Sequence, residues 1–291
     1  MRKRILLLLI IPLFSCEQSD KKAFKNLSNK KSSVSETQRQ LIFENAKTFP
    51  DNTQISFAFI KNGKVNYYGI KKENASISQR NNYNDIFEIG SITKVFTSNL
   101  LASFIINNKV KLNDNINDYL NIPFKNNVKI TFKSLANHTS GVPELPTNLD
   151  LEKINTANPF QKYNEIDLEN YLEKSLHIED TIKDKYLYSN LGAGLLGYTL
   201  SKIENVSYNE LLKRHIFSKY KMFNTTLNLN ESSKMLVKGL DILGNEVPNW
   251  EFSVLAGAGG IKSNVKDLAK YGIAQLDTLN KELELTRQKT I

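Results

Sequence analysis

Five serines of this chain stand three residues before a lysine: Ser19, Ser28, Ser91, Ser218 and Ser263. The spacing has a chemical use. On a helix, residues i and i+3 share a face, so the ammonium lies beside the hydroxyl. Burial of that lysine disfavours its charged form. A neutral amine can then take the serine proton and leave a nucleophile for a carbonyl carbon. A serine in the first helical turn also feels the positive end of the helix dipole, which favours an oxyanion forming nearby. Spacing alone selects none of the five, but setting does. Ser19 and Ser28 fall in a polar tether, Ser218 sits among charged residues, and Ser263 reads as a helix cap. Ser91 follows an apolar strand-like segment and a glycine, then opens a long apolar helix, in Phe87-Glu88-Ile89-Gly90-Ser91-Ile92-Thr93-Lys94.

That octapeptide is very similar to the active-site signature of class C β-lactamases and their relatives, which include D-alanyl-D-alanine peptidases and small-ester hydrolases. Three more segments follow in the family's order. Leu135-Ala136-Asn137-His138-Thr139-Ser140-Gly141-Val142-Pro143 resembles its Leu-x-x-His-Thr-Ser-Gly block. Tyr188-Ser189-Asn190 resembles its Tyr-x-Asn motif, and Ala256-Gly257-Ala258-Gly259-Gly260-Ile261-Lys262-Ser263 its Gly-rich turn before a helix. The likeness covers about residues 36–291.

The resemblance implies roles. Ser91 attacks a carbonyl carbon and becomes acylated. Lys94 accepts its proton or holds the neighbouring base in the right charge state. Tyr188, as a phenolate or through Lys94, is the general base and activates the deacylating water. A phenol ionising near ~10 needs a nearby positive charge for that task, and Lys94 supplies one. Asn190 hydrogen-bonds the substrate amide and Lys94. The backbone N–H of Ser91 supplies one oxyanion donor. A second Tyr-x-Asn, Tyr119-Leu120-Asn121, precedes the His-Thr-Ser-Gly block in an Asn/Asp-rich loop and is set aside. His138 invites a Ser-His pairing, but Ser140 follows it within a Gly-Pro turn, so His138 reads as ordering the loop. His177 and His215 have no partner carboxylate or cysteine at metal-ligand spacing. No metal and no cofactor are expected.

Elements to position these residues are readable. Ser35-Glu36-Thr37-Gln38 has the form of a capping box, and the spacing predicts a helix over 36–48. Apolar segments at 55–60 and 64–70, joined through Asn62-Gly63, predict an antiparallel hairpin. The stretch from Ser91 to Asn107 is apolar on nearly every face, which predicts a helix buried all round. Further helices are expected at 167–176 and 191–204, and a last one from Ser263 or Asn264. The fold class is α/β (α+β): a β-lactamase/transpeptidase-like antiparallel sheet flanked by helices, with a mainly helical subdomain.

The chain has 291 residues, 40% hydrophobic and 24% charged, with a formal net charge of +9. That is ordinary for a globular protein. Its lysines are scattered, and no zinc-finger spacing, basic helix or aromatic RNA motif is present, so nucleic acid is excluded as a partner. Residues 1–16 read as a lipoprotein signal. Arg2-Lys3-Arg4 is a positive n-region, and Ile5 to Phe14 is an apolar run too short to span a bilayer. Leu13-Phe14-Ser15-Cys16 resembles a lipobox, in which Cys16 is lipidated. It is the chain's one cysteine, so a chemical anchor accounts for it better than a disulfide. The expected location is the bacterial cell envelope, on a membrane through that lipid. Residues 17–35 form a Lys/Ser/Asn-rich tether, and 36–291 the hydrolase domain.

One part of the family pattern is missing. A third motif, Lys-Thr-Gly or His-x-Gly on a strand beside the nucleophile, has no counterpart. Lys289-Thr290-Ile291 lacks the glycine and follows a charged segment. The chain is therefore expected to be a C-terminally truncated member, with an unpaired hairpin edge and an oxyanion hole short of one donor. Two functions stand: a serine hydrolase acting on a β-lactam, a D-Ala-D-Ala peptide or a small ester, and a non-catalytic lipoprotein binding module or degenerate fragment.

Overall fold

Ser35 opens the first helix, α1, Glu36–Ala46, by the expected reciprocal cap. Its Oγ accepts from the Gln38 N–H at 3.2 Å, and the Gln38 side chain accepts from the Ser35 N–H at 3.0 Å. Strands β1, Gln54–Lys61, and β2, Lys64–Glu73, then pair antiparallel with Lys61 opposite Lys64. Asn62 and Gly63 both take positive φ, 50° and 73°, as a tight turn of this hand requires. A short β3, Ser76–Gln79, adds to the far side of β2. Among the described residues the other edge of β1 carries no strand. Ile42, Phe43, Tyr68, Ile70 and Ile77 bury together and join α1 to the sheet. The computed structural model describes residues 34–149, 157–179, 182, 185–229 and 233–288. The signal segment, Cys16, all but the end of the tether, and Lys289-Thr290-Ile291 lie outside them.

A second and larger core surrounds α2, Thr93–Ile106, whose Phe96, Leu100 and Phe104 are fully buried. Against α2 pack α5, Asn190–Glu204, α7, Ala256–Gly259, and α9, Lys281–Arg287. The other α-helices among the described residues are α3, Phe132–Ala136, α4, Glu165–Lys174, α6, Tyr208–Leu212, and α8, Val265–Ala274. The expectation that α2 is buried all round needs correction. Ile92, Val95 and Ile106 are 51%, 46% and 41% exposed. Its two ends reach the surface, the first beside the exposed Ser91.

Ser263 is likewise not a cap. It lies in β7, Lys262–Ser263, opposite Phe87 of β4, Phe87–Glu88, and its Oγ bonds Thr225 Oγ1 at 2.7 Å. Asn264 does the capping, with Oδ1 accepting from the Asp267 N–H at 2.9 Å. The charged stretch near the end forms α9 because Leu283, fully buried, anchors it. One apolar anchor leaves no periodic signal to read. A further two-stranded hairpin pairs β5, Gly239–Leu240, with β6, Glu246–Val247. Among the described residues no helix is long and apolar enough to cross a membrane.

Candidate active site

Gly90 takes φ +49° and opens a 3₁₀ turn, Gly90–Ile92, immediately before α2. A Cβ at Gly90 would meet nothing within 4 Å, so it is the backbone conformation that calls for glycine. The turn leaves Ser91 exposed, with Lys94 one helical turn on. Lys94 Nζ donates to Ser91 Oγ at 3.1 Å, to Asn190 Oδ1 at 2.7 Å and to the Ala258 carbonyl at 2.7 Å. An ammonium has three donors, and each finds an acceptor. Ser91 Oγ lies 2.7 Å from Tyr188 Oη, and Lys94 Nζ lies 4.8 Å from the Tyr188 ring centroid. Ser91, Lys94, Tyr188 and Asn190 thus meet at one point, from the 3₁₀ turn before α2, from α2, from the segment before α5, and from α5 itself.

Ser189 fixes the two motif residues on either side of it. Its Oγ caps α5 by accepting from the Gly192 N–H at 2.8 Å, and donates to the Pro143 carbonyl at 2.6 Å. His138 holds the same segment from below. Its φ is +58°, its Nδ1 accepts from the Ser189 N–H at 3.1 Å, and its carbonyl accepts from the Leu187 N–H at 2.7 Å. Its ring lies 4.8 Å from that of Tyr188. Burial first, and then the Lys94 charge, push the His138 pKa down. A neutral imidazole with an open lone pair on Nδ1 is what this bonding needs. His138 therefore orders the Tyr188 segment.

The electrostatics single out Tyr188. Burial alone pushes its phenol up. The nearby Lys94 ammonium and the hydrogen bond with Ser91 outweigh that, against a smaller opposing effect of Glu144, so its pKa falls below the ordinary phenol value. Lys94, spent as a triple donor, is the charge that makes Tyr188 more acidic.

Some supporting residues had no sequence signal. Thr97 lies beneath Lys94 on α2, with Oγ1 2.7 Å from the Gly257 carbonyl and 2.6 Å from Tyr208 Oη. It ties down the α7 turn whose Ala258 carbonyl receives Lys94. Gly257 itself is required there, since a Cβ would come within 2.7 Å of the Ala193 carbonyl. Beside Ser91 opens a cleft of about 620 Å³, lined among others by Glu144, Phe160, Asn190, Trp250 and Phe252. Among the described residues no group of three or more His, Cys, Asp or Glu side chains could hold a metal ion.

The β-lactamase family profile matches residues 45–290. The chain belongs to the β-lactamase family. It is 29% identical over 225 residues to a β-lactamase of Pseudomonas fluorescens, covering 76% of this chain and 59% of that protein. To a β-lactamase of Psychrobacter immobilis it is 26% identical over 227 residues, covering 76% and 53%. The chain thus spans little more than half the length of these curated relatives. Among solved structures it is similar to a class C β-lactamase, with a TM-score of 0.66 at 21% identity over 93% of this chain and 68% of that one. A β-lactamase/D-alanine carboxypeptidase from Pseudomonas syringae gives a TM-score of 0.66 at 21% identity, covering 92% and 69%. The structural likeness shows that the β-lactamase-type fold expected from the sequence is the fold of this family member.

Proposed function

We propose that this β-lactamase family member is a serine hydrolase that works through an acyl-enzyme on Ser91, acting on a β-lactam, a D-Ala-D-Ala peptide or a small ester. The observation that carries this reading is the Lys94-centred network: one ammonium touching Ser91 and Asn190, with Tyr188 at hydrogen-bond distance from the serine. Tyr188 takes the Ser91 proton, and Oγ bonds to the substrate carbonyl carbon. The oxyanion that forms is met by the Ser91 backbone N–H. Collapse breaks the bond to the leaving group, which receives the proton from Tyr188. Water then gives a proton to Tyr188 and attacks the acyl carbon, releasing the acid and restoring Ser91. Lys94 keeps Tyr188 acidic enough for this cycle, and Asn190, its Oδ1 committed to Lys94, has Nδ2 for the substrate carbonyl.

By the same reading the chain is exported to the cell envelope and held on a membrane by a lipid on Cys16. The positive n-region, the short apolar run and the single cysteine support this. Metabolic labelling with palmitate tests it: label on the wild type that persists in Cys16→Ser would sink the anchor.

The hydrolase is tested by covalent labelling of the full chain with a fluorophosphonate and with a fluorescent penicillin. Labelling of wild type and none of Ser91→Ala is the expected result. A folded wild type that takes neither label supports the binding module instead.

A further inference from the structure

The turn that receives Lys94 has almost no side chains of its own. Residues 256–260 read Ala-Gly-Ala-Gly-Gly. Glycine widens the choice of backbone conformations, so neighbours have to fix where the carbonyls of this turn point. One side of α2 does so at three places. Thr93 Oγ1 accepts from the Ile261 N–H at 3.2 Å, Lys94 Nζ donates to the Ala258 carbonyl at 2.7 Å, and Thr97 Oγ1 lies 2.7 Å from the Gly257 carbonyl. Both threonines are fully buried and stand one helical turn apart. Helix α5 closes the far side, where a Cβ at Gly197 would come within 3.2 Å of the Gly257 Cα and of the Tyr208 ring.

The acceptors fix where the protons lie. Thr97 Oγ1 is also 2.6 Å from Tyr208 Oη and 3.2 Å from the Thr93 carbonyl. A carbonyl oxygen only accepts, and a hydroxyl carries one proton. At 2.7 Å the Gly257 oxygen therefore faces the Thr97 proton, because two lone pairs at that distance would repel. Tyr208 is left as the donor to Thr97. Burial pushes its phenol well up, which keeps the donor protonated. A relay thus runs from the Tyr208 O–H to the Thr97 O–H to the Gly257 carbonyl. This carbonyl and the one that receives Lys94 are consecutive, and the end of a helix leaves such oxygens without helical partners. An ammonium has three donors, and Ser91, Asn190 and Ala258 already take all three. A Gly257 carbonyl released by Thr97 would be a competing acceptor in the same turn. The longest of the three bonds, 3.1 Å to Ser91, is the one most open to loss.

We infer that Thr97 and Tyr208 are positioning residues for acylation: by occupying the Gly257 carbonyl, their relay leaves Lys94 a single backbone acceptor and keeps one of its donors on Ser91. The inference rests on the serine-acylation reading. Both side chains are buried, and neither lines the cleft at Ser91. They act through Lys94, whose ammonium in turn holds the Tyr188 phenol below its ordinary value. Tyr188 is faced by Lys94 from α2, by the His138 ring and by Glu144, and of these only Lys94 shares the α7 turn with the relay.

Three variants of the full chain test the relay. Thr97→Val deletes the hydroxyl at nearly constant volume, Tyr208→Phe deletes the outer donor and keeps the ring, and Thr97→Ser keeps the link. The first readout is the rate of fluorophosphonate labelling against pH. Thr97→Val should slow labelling at neutral pH by about 10–10²-fold and move the rising limb to higher pH, because a displaced Lys94 charge acidifies Tyr188 less. Tyr208→Phe should shift both in the same direction by less. Thr97→Ser should stay within about twofold of wild type. The second readout needs no turnover. The tyrosinate absorbance of each protein, minus that of the same protein carrying Tyr188→Phe, gives the Tyr188 titration alone, and it should move up with the limb. A merely structural Thr97 gives another pattern: Thr97→Val lowers the urea midpoint while limb and titration stay at their wild-type positions. That pattern, or a Thr97→Ser variant as slow as Thr97→Val, overturns the relay. Should Thr97→Val fail to fold, Tyr208→Phe decides by the same two shifts. Failure of the hydrolase reading looks different. A wild type that takes no label, with a Tyr188 titration that rises in the variants, keeps the relay and removes the acylation. Labelled wild type with an unmoved titration does the reverse.

Discussion

Around Lys94 each donor has an acceptor within 3.1 Å, and the helices that supply them share one continuous core. The sheet differs. Gln54 Oε1, Ser56 Oγ, Tyr68 Oη and Gln79 Oε1 are buried there without a hydrogen-bond partner. Every residue of β1 before Lys61 is only partly buried, and Phe57 and Phe59 stack at 6.2 Å on a face that adjoins Leu41 and Phe49, 60% and 47% exposed. A buried polar atom left unpaired costs about 1–3 kcal/mol, and half-covered apolar surface returns only part of its burial energy. Asn99 Oδ1 on α2 and Asn249 Oδ1 are buried and unpaired as well, so the contrast lies in packing: the chemistry is mounted on the more fully buried apolar core. The sheet adds little to the geometry at Ser91.

The strongest way to break that contrast is chemical. Ser91→Ala should lower covalent labelling by at least about 10³-fold, while Leu41→Ser on the sheet side should label within about twofold of wild type. Comparable losses in both would show that the two halves act as one. Tyr188→Phe should slow acylation by about 10²–10⁴-fold. Because the phenolate is the working form, wild-type kcat/KM should climb as pH rises through a Tyr188 pKa below the usual phenol value. That rising limb should vanish in Tyr188→Phe, and a limb that survives assigns the proton transfer elsewhere.

Stability offers the next test. Phe96→Ala, in the fully packed core, should cost about 3–5 kcal/mol in urea unfolding, and Phe57→Ala on the half-covered strand less than about half of that. Equal costs would mean the sheet is better packed than its exposure suggests. The smallest and sharpest comparison uses one chemistry in two places. Ser35→Ala and Ser189→Ala each remove a helix N-cap, worth about 1 kcal/mol. Only the second should also slow acylation, since Ser189 sits between Tyr188 and Asn190. Matched labelling rates for the two would detach the cap from the site.

What could be read from residues alone was local. The capping box at Ser35, the Asn62-Gly63 turn and the Ser-x-x-Lys pair each place their partners within four positions, so sequence spacing and spatial neighbourhood coincide. The bond from Asn249 Nδ2 to Glu88 Oε2 is different. Glu88 and Asn249 are 161 positions apart, and nothing about a glutamate two residues before a glycine announces a partner that distant. The third acceptor of Lys94 is a backbone carbonyl, which any residue type carries. Thr97 and Tyr208 meet through packing of α2 against α6, and β3 is too short for an alternating pattern. Ser263 misled because a serine before an apolar run looks like a cap, when the asparagine after it had the better reach.

Lys94 reaches an acceptor 96 positions further along the chain and another 164 positions away. During synthesis, Ser91 leaves the ribosome long before Ala258 exists. Until that last carbonyl arrives, the ammonium lacks one of the three acceptors that fix it, and the nucleophile stays unassembled. Reactivity toward a phosphonate therefore doubles as a clock for completion: a nascent chain stopped short of Ala258 should be chemically silent even where its first helices have already formed.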